Sequence, residues 1–370
     1  MAKQSVDVAL PIEFSEVVEV VYQDLLGTNG KTLGGLFAQA IVQGGIFNNG
    51  SGRDRLTNFV GYTLPAASNS AYAIFGGGKR NTTIVKMVEK YNFTNDTVTA
   101  GTSLAYDRAN LSAVGDSTHG FFAAGTIEGA HYTDKYNYSN DTVSSGTKLT
   151  SVRGLASAAG NNIAGYFRSG LDNHDIGQAS EKYIYSSNSV TLSVSLTSSL
   201  PYGMSSAGNL SYGMWVGGVF YGEYSERFEY SNETAIPSVT PGILRMYAAG
   251  TGNSSLALVG GGKWHAGGGS NYVWVDKWVL SANTVSQGTN LGNSRQTLAA
   301  SGNSITGLWV GGYGGSTSSS DNKYVDKYTF ATNVRVQGTS LSVDRARIAG
   351  CSPTENDLGS ANNGGSNPWQ

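Results

Sequence analysis

Polar and apolar positions alternate in a six-residue phrase that the chain repeats six times: VEKYNF at 88–93, TDKYNY at 133–138, SEKYIY at 180–185, SERFEY at 225–230, VDKWVL at 275–280 and VDKYTF at 325–330. Each phrase sets an acid, a base and an aromatic in succession, with another apolar residue two places on. The alternation predicts a half-buried strand, with the acid turned outward and the aromatic inward. The aromatics Tyr91, Tyr136, Tyr183, Phe228, Trp278 and Tyr328 are 45, 47, 45, 50 and 50 residues apart. A period of this size marks a repeat in which one supersecondary unit stacks on copies of itself.

Three further strands accompany the phrase in each period. One is apolar and ends in small residues, as at 71–78, 120–125, 164–170, 213–218, 256–262 and 307–312, where a glycine pair suits a tight turn or a close backbone approach. A variable polar loop separates it from the phrase. After the phrase, a short Asn/Ser/Asp turn leads to a strand seen at 98–104, 143–149, 285–291 and 334–341, which closes on the motif GTxL in four repeats. The last strand opens with Arg108, Arg153, Arg245, Arg295 or Arg345 and runs into small apolar residues, whereas the third repeat has Pro201-Tyr202-Gly203-Met204 there and no arginine.

Four short strands per period, one of them ending in Gly-Gly, is the pattern of a β-propeller blade. The glycine pair and the aromatic after lysine resemble the kelch-like propellers over residues 55–352, although the tryptophan of kelch repeats proper is not at its place. The fold class expected is all-β: a six-bladed kelch-like β-propeller with a short non-repeat N-terminal segment. Residues 55–61 (RLTNFVG) look like a seventh copy of the arginine strand. Either this copy or the one at 345–350 must therefore complete blade one, because an unpaired sheet edge invites aggregation.

Residues 1–54 stand outside the repeat. Phe14, Val17, Val18, Val21 and Leu25 fall at helical spacing, while the valine content favours a strand. The segment reads either as a cap on the array or as an arm that attaches to another subunit. Residues 353–370 form a tail rich in Gly, Asn and Ser, of the kind expected to be disordered. The start MAKQSVDVAL lacks the basic and apolar regions of a signal peptide, so the frequent N-x-S/T sequons are read as by-products of composition. Residues 36–47, the longest apolar stretch, are broken by Gln and Gly and too short for a membrane span, so no membrane insertion is expected.

Composition narrows the function. Charged residues make up 14% of the chain, against about 25% usually, and glycine occurs 51 times. With a net charge of −2 there is no basic field to hold nucleic acid. The single Cys351 excludes an internal disulfide framework. His119, His131, His174 and His265 occupy non-equivalent repeat positions and lack partners at ligand spacing, so no metal, cofactor or catalytic residue is assigned. A copper-radical oxidase would need a Tyr–Cys link and His ligands, and Cys351 lies beyond the last full blade. Sialidase-type S-x-D-x-G-x-x-W turns, a G-x-S-x-G elbow and a P-loop are all absent, and the GGGK strings at 76–79 and 260–263 sit at strand ends as blade turns.

The five repeat arginines are expected to pair each with the acid of the adjacent blade's phrase, or with backbone carbonyls, rather than to form an anion site. The acid–lysine doublets read as solvated faces with cross-blade pairing. Recognition is placed instead in the variable loops at 125–132, 169–178, 263–272 and 312–323, where aromatic, Asn and Gly residues can contact sugars or proteins without charge.

The phrase KYTFATN followed by GTSL resembles kelch-like propeller proteins carried by bacteriophages. That resemblance implies a non-enzymatic structural or adhesive virion protein of the tail, its fibres or the head surface. Residues 1–54 would contact other virion proteins within an oligomeric assembly, and the propeller would face a host surface glycan or protein. The alternatives are a glycan-acting propeller hydrolase or lyase using axial Arg and Tyr residues, and a cellular kelch-type scaffold that binds a protein degron.

Overall fold

A computed structural model of the chain describes residues 72–126, 131–168, 170, 180–194, 202–219, 224–242, 245–264, 270–314 and 321–353, all within one compact unit spanning Asn69–Ala361. The N-terminal segment 1–54, the strand copy at 55–61 and residues 354–370 of the tail lie outside the described residues. Six four-stranded antiparallel sheets form a ring, a six-bladed β-propeller. Blade two runs outward from the axis as Ser112–Gly115, His119–Ala123, Thr133–Asn137 and Thr142–Gly146. The same order recurs from the innermost strands Ser157–Gly160, Ser205–Gly208, Ala249–Gly252 and Ala299–Gly302.

Blade one is composite, and it answers the question of closure. Its innermost strand is Ala349–Cys351, followed outward by Tyr72–Gly76, Val88–Asn92 and Thr97–Gly101. Ile74 pairs with Cys351, Phe75 with Gly350 and Gly76 with Ala349. The C-terminal copy of the arginine strand thus shuts the ring and pairs what would otherwise be an open edge.

The core is six seams, one at each junction between neighbouring blades. Tyr91 and Phe75 of blade one meet Leu308 and Val310 of blade six, and Tyr183 and Tyr185 of blade three meet Phe121 of blade two. Trp215 and Phe228 face Tyr166, Trp309 and Tyr328 face Leu258, Tyr136 and Phe122 face Ile74, and Trp278 faces Met214. The aromatic of every phrase is fully buried, as its inward placement predicts.

The acid is not where the sequence pattern put it. Glu89, Asp134, Glu181, Glu226, Asp276 and Asp326 are buried as well, and the lysine between acid and aromatic is the half-exposed residue. The cause is the period of two along a strand: acid and aromatic are two residues apart and share a face. Only the base reads as a solvated position, and cross-blade pairs do form there, from Lys90 to Asp141 at 2.9 Å and from Lys182 to Glu233 at 2.6 Å.

GTxL is a latch between blades. Its threonine reaches the next blade's outer hairpin turn, which holds a residue with positive φ such as Asp141, Asn188 or Asn333. Thr102 Oγ1 donates to the Asp141 carbonyl at 2.6 Å, Thr289 Oγ1 to Asn333 at 2.5 Å, and Thr147 Oγ1 to Asn188. The same turn residue accepts the phenol of the phrase, as Asn188 does from Tyr183 and Asn333 from Tyr328. The motif's glycine leaves room for that phenol, since a Cβ on Gly338 would lie 2.5 Å from the Tyr91 hydroxyl. Its leucine (Leu104, Leu149, Leu291 or Leu341) is buried in the seam.

Burial raises the hydroxyls of Tyr166, Tyr183, Tyr185, Tyr230 and Tyr328 above the ordinary tyrosine range. An acid whose folded pKa is raised contributes stability that is complete below its unfolded pKa and is lost as pH rises beyond it. The fold should therefore hold its stability up to about pH 10. Above that it should lose stability progressively, until the pH passes the raised folded value of each such tyrosine. Melting curves recorded with tyrosinate absorbance test this: a fraction of the absorbance matching these buried tyrosines should appear only on unfolding, and ionisation of all the tyrosines in the folded chain would contradict it.

Candidate functional site

The repeat arginines are spent inside the blades. Each enters just ahead of an innermost strand and crosses to the acid on the third strand of that blade. Arg345 donates to Glu89 at 2.7 Å and to the carbonyls of Gly77 and Met87 at 2.8 and 3.0 Å. Arg295 donates to Asp326 at 2.5 Å and Tyr324 at 3.0 Å. Arg153 pairs with Glu181 at 2.5 Å, and Arg108 and Arg245 with Asp134 and Asp276. Burial lowers the pKa of all five arginines, with the paired acid opposing it. Burial likewise raises the Asp134 and Asp276 carboxyls, against the pull of their arginines. Pairing with acids and carbonyls is what the geometry shows, but the acid is that of the arginine's own blade and not of the adjacent one, and an axial arginine cluster does not form from these residues.

Blade four, which lacks the arginine, recruits one from elsewhere. Arg168, at the end of the second strand of blade three, lies 3.6 Å from Glu226 and packs over Phe228 at 3.9 Å and Trp215 at 4.4 Å. Its pKa is pushed down to about 10, chiefly by burial.

Two residues after each arginine position, the chain adopts a positive φ: Asn110, Leu155, Gly203, Tyr247, Thr297 and Arg347. These residues form a closed circle of backbone hydrogen bonds about the propeller axis. The amide of Leu155 donates to Asn110, Gly203 to Leu155, Tyr247 to Gly203, Thr297 to Tyr247, Arg347 to Thr297 and Asn110 to Arg347, at 2.7–3.3 Å. Each link joins two blades and satisfies backbone groups at the centre of the ring, where no ladder partner exists. The next residues, Leu111, Ala156, Met204, Ala248, Leu298 and Ile348, are all buried and pack one into each of the six seams. Below lies an axial channel of about 140 Å³ lined by the Ser, Ala and Gly of the innermost strands, with no charged side chain among its lining.

Above the ring is a mouth of about 430 Å³, and the five ring positions that carry side chains all line it. Lys79 and Asn81 reach it from the loop after the second strand of blade one, and Tyr313 and Asp321 from the equivalent loop of blade six. Asp321 joins the two loops by accepting the Asn81 amide at 2.6 Å. Burial raises its carboxyl above the usual range, while that hydrogen bond, Lys79 and Arg347 pull it down. Burial also raises the Tyr247 hydroxyl, Tyr202 adding to the shift and Arg347 opposing it. The Tyr247 ring lies over Gly203, where an added Cβ would come within 2.5 Å of it.

Of the four loops singled out from the sequence, the one at 312–323 contributes to this mouth through its described ends. In the loop at 125–132, Tyr132 stacks on Tyr106 and His131 at 4.7 Å each, with the Lys148 ammonium 4.0 Å over its ring. His119 contacts Thr118 and Asn137, and Cys351 is buried in the closing strand. His174, His265 and the loop 171–178 lie outside the described residues. Among the described residues no group of three His, Cys, Asp or Glu is placed to hold a metal ion. The ring residues of the mouth carry no sequence signal, because they follow the arginine positions at a fixed offset but share no residue type, and Lys79, Asn81 and Gln296 lie outside even that offset. No protein-family model matches the chain, and no curated protein matches it significantly.

Proposed function

We propose that the chain is a non-enzymatic structural or adhesive component of a bacteriophage particle, a kelch-like propeller that recognises its target with the face carrying the mouth. The observation that carries this reading is the fate of the repeated charges. All six acids of the phrases are buried with arginines, so the periodic chemistry maintains the ring and the non-repeated mouth is left for recognition. The low charge of the surface and the likeness of the phrases to phage propellers support the same reading. In it, residues 1–54 attach the chain to other virion proteins and the particle is its location.

A glycan-acting hydrolase or lyase is the second reading, favoured by a carboxyl of raised pKa, Asp321, in a recess it shares with Tyr247. Glycoside hydrolysis ordinarily requires two carboxylates flanking the bond, and Asp321 is the one carboxylate among the described residues of the lining. The two readings separate when the full-length chain is incubated with a panel of bacterial strains and their extracted surface polysaccharides. Saturable retention on cells with polysaccharide length unchanged is expected. Shortened polysaccharide would establish the enzyme instead, and absence of retention on every strain would remove the adhesive role.

A further inference from the structure

We propose that the mouth above the hydrogen-bonded ring binds the terminal carboxylated sugar of a glycan. This names a ligand for the recognising face and rests on the adhesive half of the reading above. The first argument is conformational. The ring bonds use only backbone atoms, so they place no demand on the side chains. At φ of 58°, 58°, 52° and 59° for Leu155, Tyr247, Thr297 and Arg347, glycine or asparagine would be the easier choice, and Gly203 and Asn110 take it in the same ring. Each of the other residues is strained in a left-handed conformation, and a β-branched residue such as Thr297 is a marked outlier there. Strain of this kind persists where the side chain is needed for something else, and what these four share is that they line the mouth.

The second argument is the chemistry they bring together. Arg347 is exposed and presents a planar fork of donors that fits a carboxylate in two parallel hydrogen bonds. Lys79 supplies a second cation, and Asp321 is the single opposing charge among the described residues of the lining. The recess is thus net cationic on a chain of net charge −2. Tyr247 and Tyr313 offer aromatic faces for the C–H face of a sugar ring. The amides of Asn110 and Gln296, with the Asp321 carboxylate, can meet hydroxyl groups.

The third argument is shape. About 430 Å³ falls in the range of small-ligand pockets, roughly 300–1,000 Å³. Toward the axis the recess is bounded by the circle of backbone hydrogen bonds that joins Asn110, Leu155, Gly203, Tyr247, Thr297 and Arg347. A glycan end can enter such a recess, whereas a continuous chain cannot pass through it.

The test titrates the full-length chain with methyl glucuronide and methyl galacturonide, with the neutral methyl glucoside and methyl galactoside, and with glucose 6-phosphate, by calorimetry and saturation-transfer NMR. A carboxylated sugar should bind at least about tenfold more tightly than its neutral counterpart, the factor that 1.4 kcal/mol represents. Arg347→Asn suits the left-handed backbone and should keep the wild-type melting temperature while erasing that preference. Tyr313→Ala should weaken both classes of ligand. The proposal is overturned by equal binding of neutral and carboxylated sugars, by no binding of either, by tighter binding of the phosphate, or by an unchanged preference in Arg347→Asn. Retention on cells, measured in parallel, can fail or succeed independently, so loss of the sugar site and loss of the adhesive role are read separately.

Discussion

Arg345→Met is expected to destabilise the propeller by about 3–5 kcal/mol, the cost of removing one member of a buried ion pair and leaving the other charge stranded. Glu89 is the stranded partner, and both side chains are essentially inaccessible to water. The loss reaches further, because Arg345 also satisfies the Gly77 and Met87 carbonyls and sits four residues before the strand that closes blade one. Denaturant unfolding at neutral pH measures the total. Hydrogen exchange should show the new opening concentrated in blade one and its seam with blade six, where the chain ends meet. Arg108→Met in blade two removes the same kind of pair from Asp134 within continuous chain, and should cost a similar amount without opening that seam. Adding Glu89→Leu to Arg345→Met should recover a large part of the loss, since replacing both charges by apolar groups removes the stranded carboxylate. A loss below about 1 kcal/mol for Arg345→Met, the range of ordinary surface changes, would refute a structural role for the pair.

The fold was legible because the repeat writes each packing device in the same residues every time. The spacing of Tyr91, Tyr136, Tyr183, Phe228, Trp278 and Tyr328 gives the number of blades, and arginine recurring with acid suggested the internal pairs. The orientation of the acid was misjudged: Glu89 and Tyr91 are two residues apart, so a strand that buries the tyrosine also buries the glutamate. The arginine that supplies blade four left a trace. Arg168 follows Phe167 where Gly76, Ala123, Val216, Gly260 and Val310 stand in the other blades, directly before the repeat whose own arginine is missing.

The mouth was illegible for the opposite reason. Its positions are fixed by a backbone circle that accepts Asn, Leu, Gly, Tyr, Thr or Arg, so no side-chain pattern announces them. The same circle lets the ring stay closed while the residues around it vary blade by blade. Regular chemistry therefore holds the propeller together and irregular chemistry gathers at one end of its axis, which is why the search for a ligand leads there and not to the repeated charges.

Tyr328→Ala is expected to cost about 3–5 kcal/mol, as truncation of a large buried aromatic does. Tyr328 is fully buried, packs edge-on to Trp309 at 5.9 Å and against Phe330 at 6.2 Å, and lies in the seam that joins blades five and six. The hydroxyl adds a second element, because it donates to Asn333 in the turn that also receives Thr289 of blade five. Tyr328→Phe removes that hydrogen bond and the one the hydroxyl accepts from the Thr289 amide, and should cost about 0.5–1.5 kcal/mol for each, leaving the rest of the alanine effect to be assigned to packing. Trp278 fills the equivalent slot one blade earlier without a hydroxyl, sending its indole N–H to the Val239 carbonyl at 3.1 Å, and Phe228 fills it in blade four with no polar group at all, so the slot requires a buried aromatic rather than a particular polar anchor. Denaturant unfolding of the two Tyr328 variants separates the contributions. A loss under about 1 kcal/mol for Tyr328→Ala would mean that the aromatic of the phrase does not wedge the blades together.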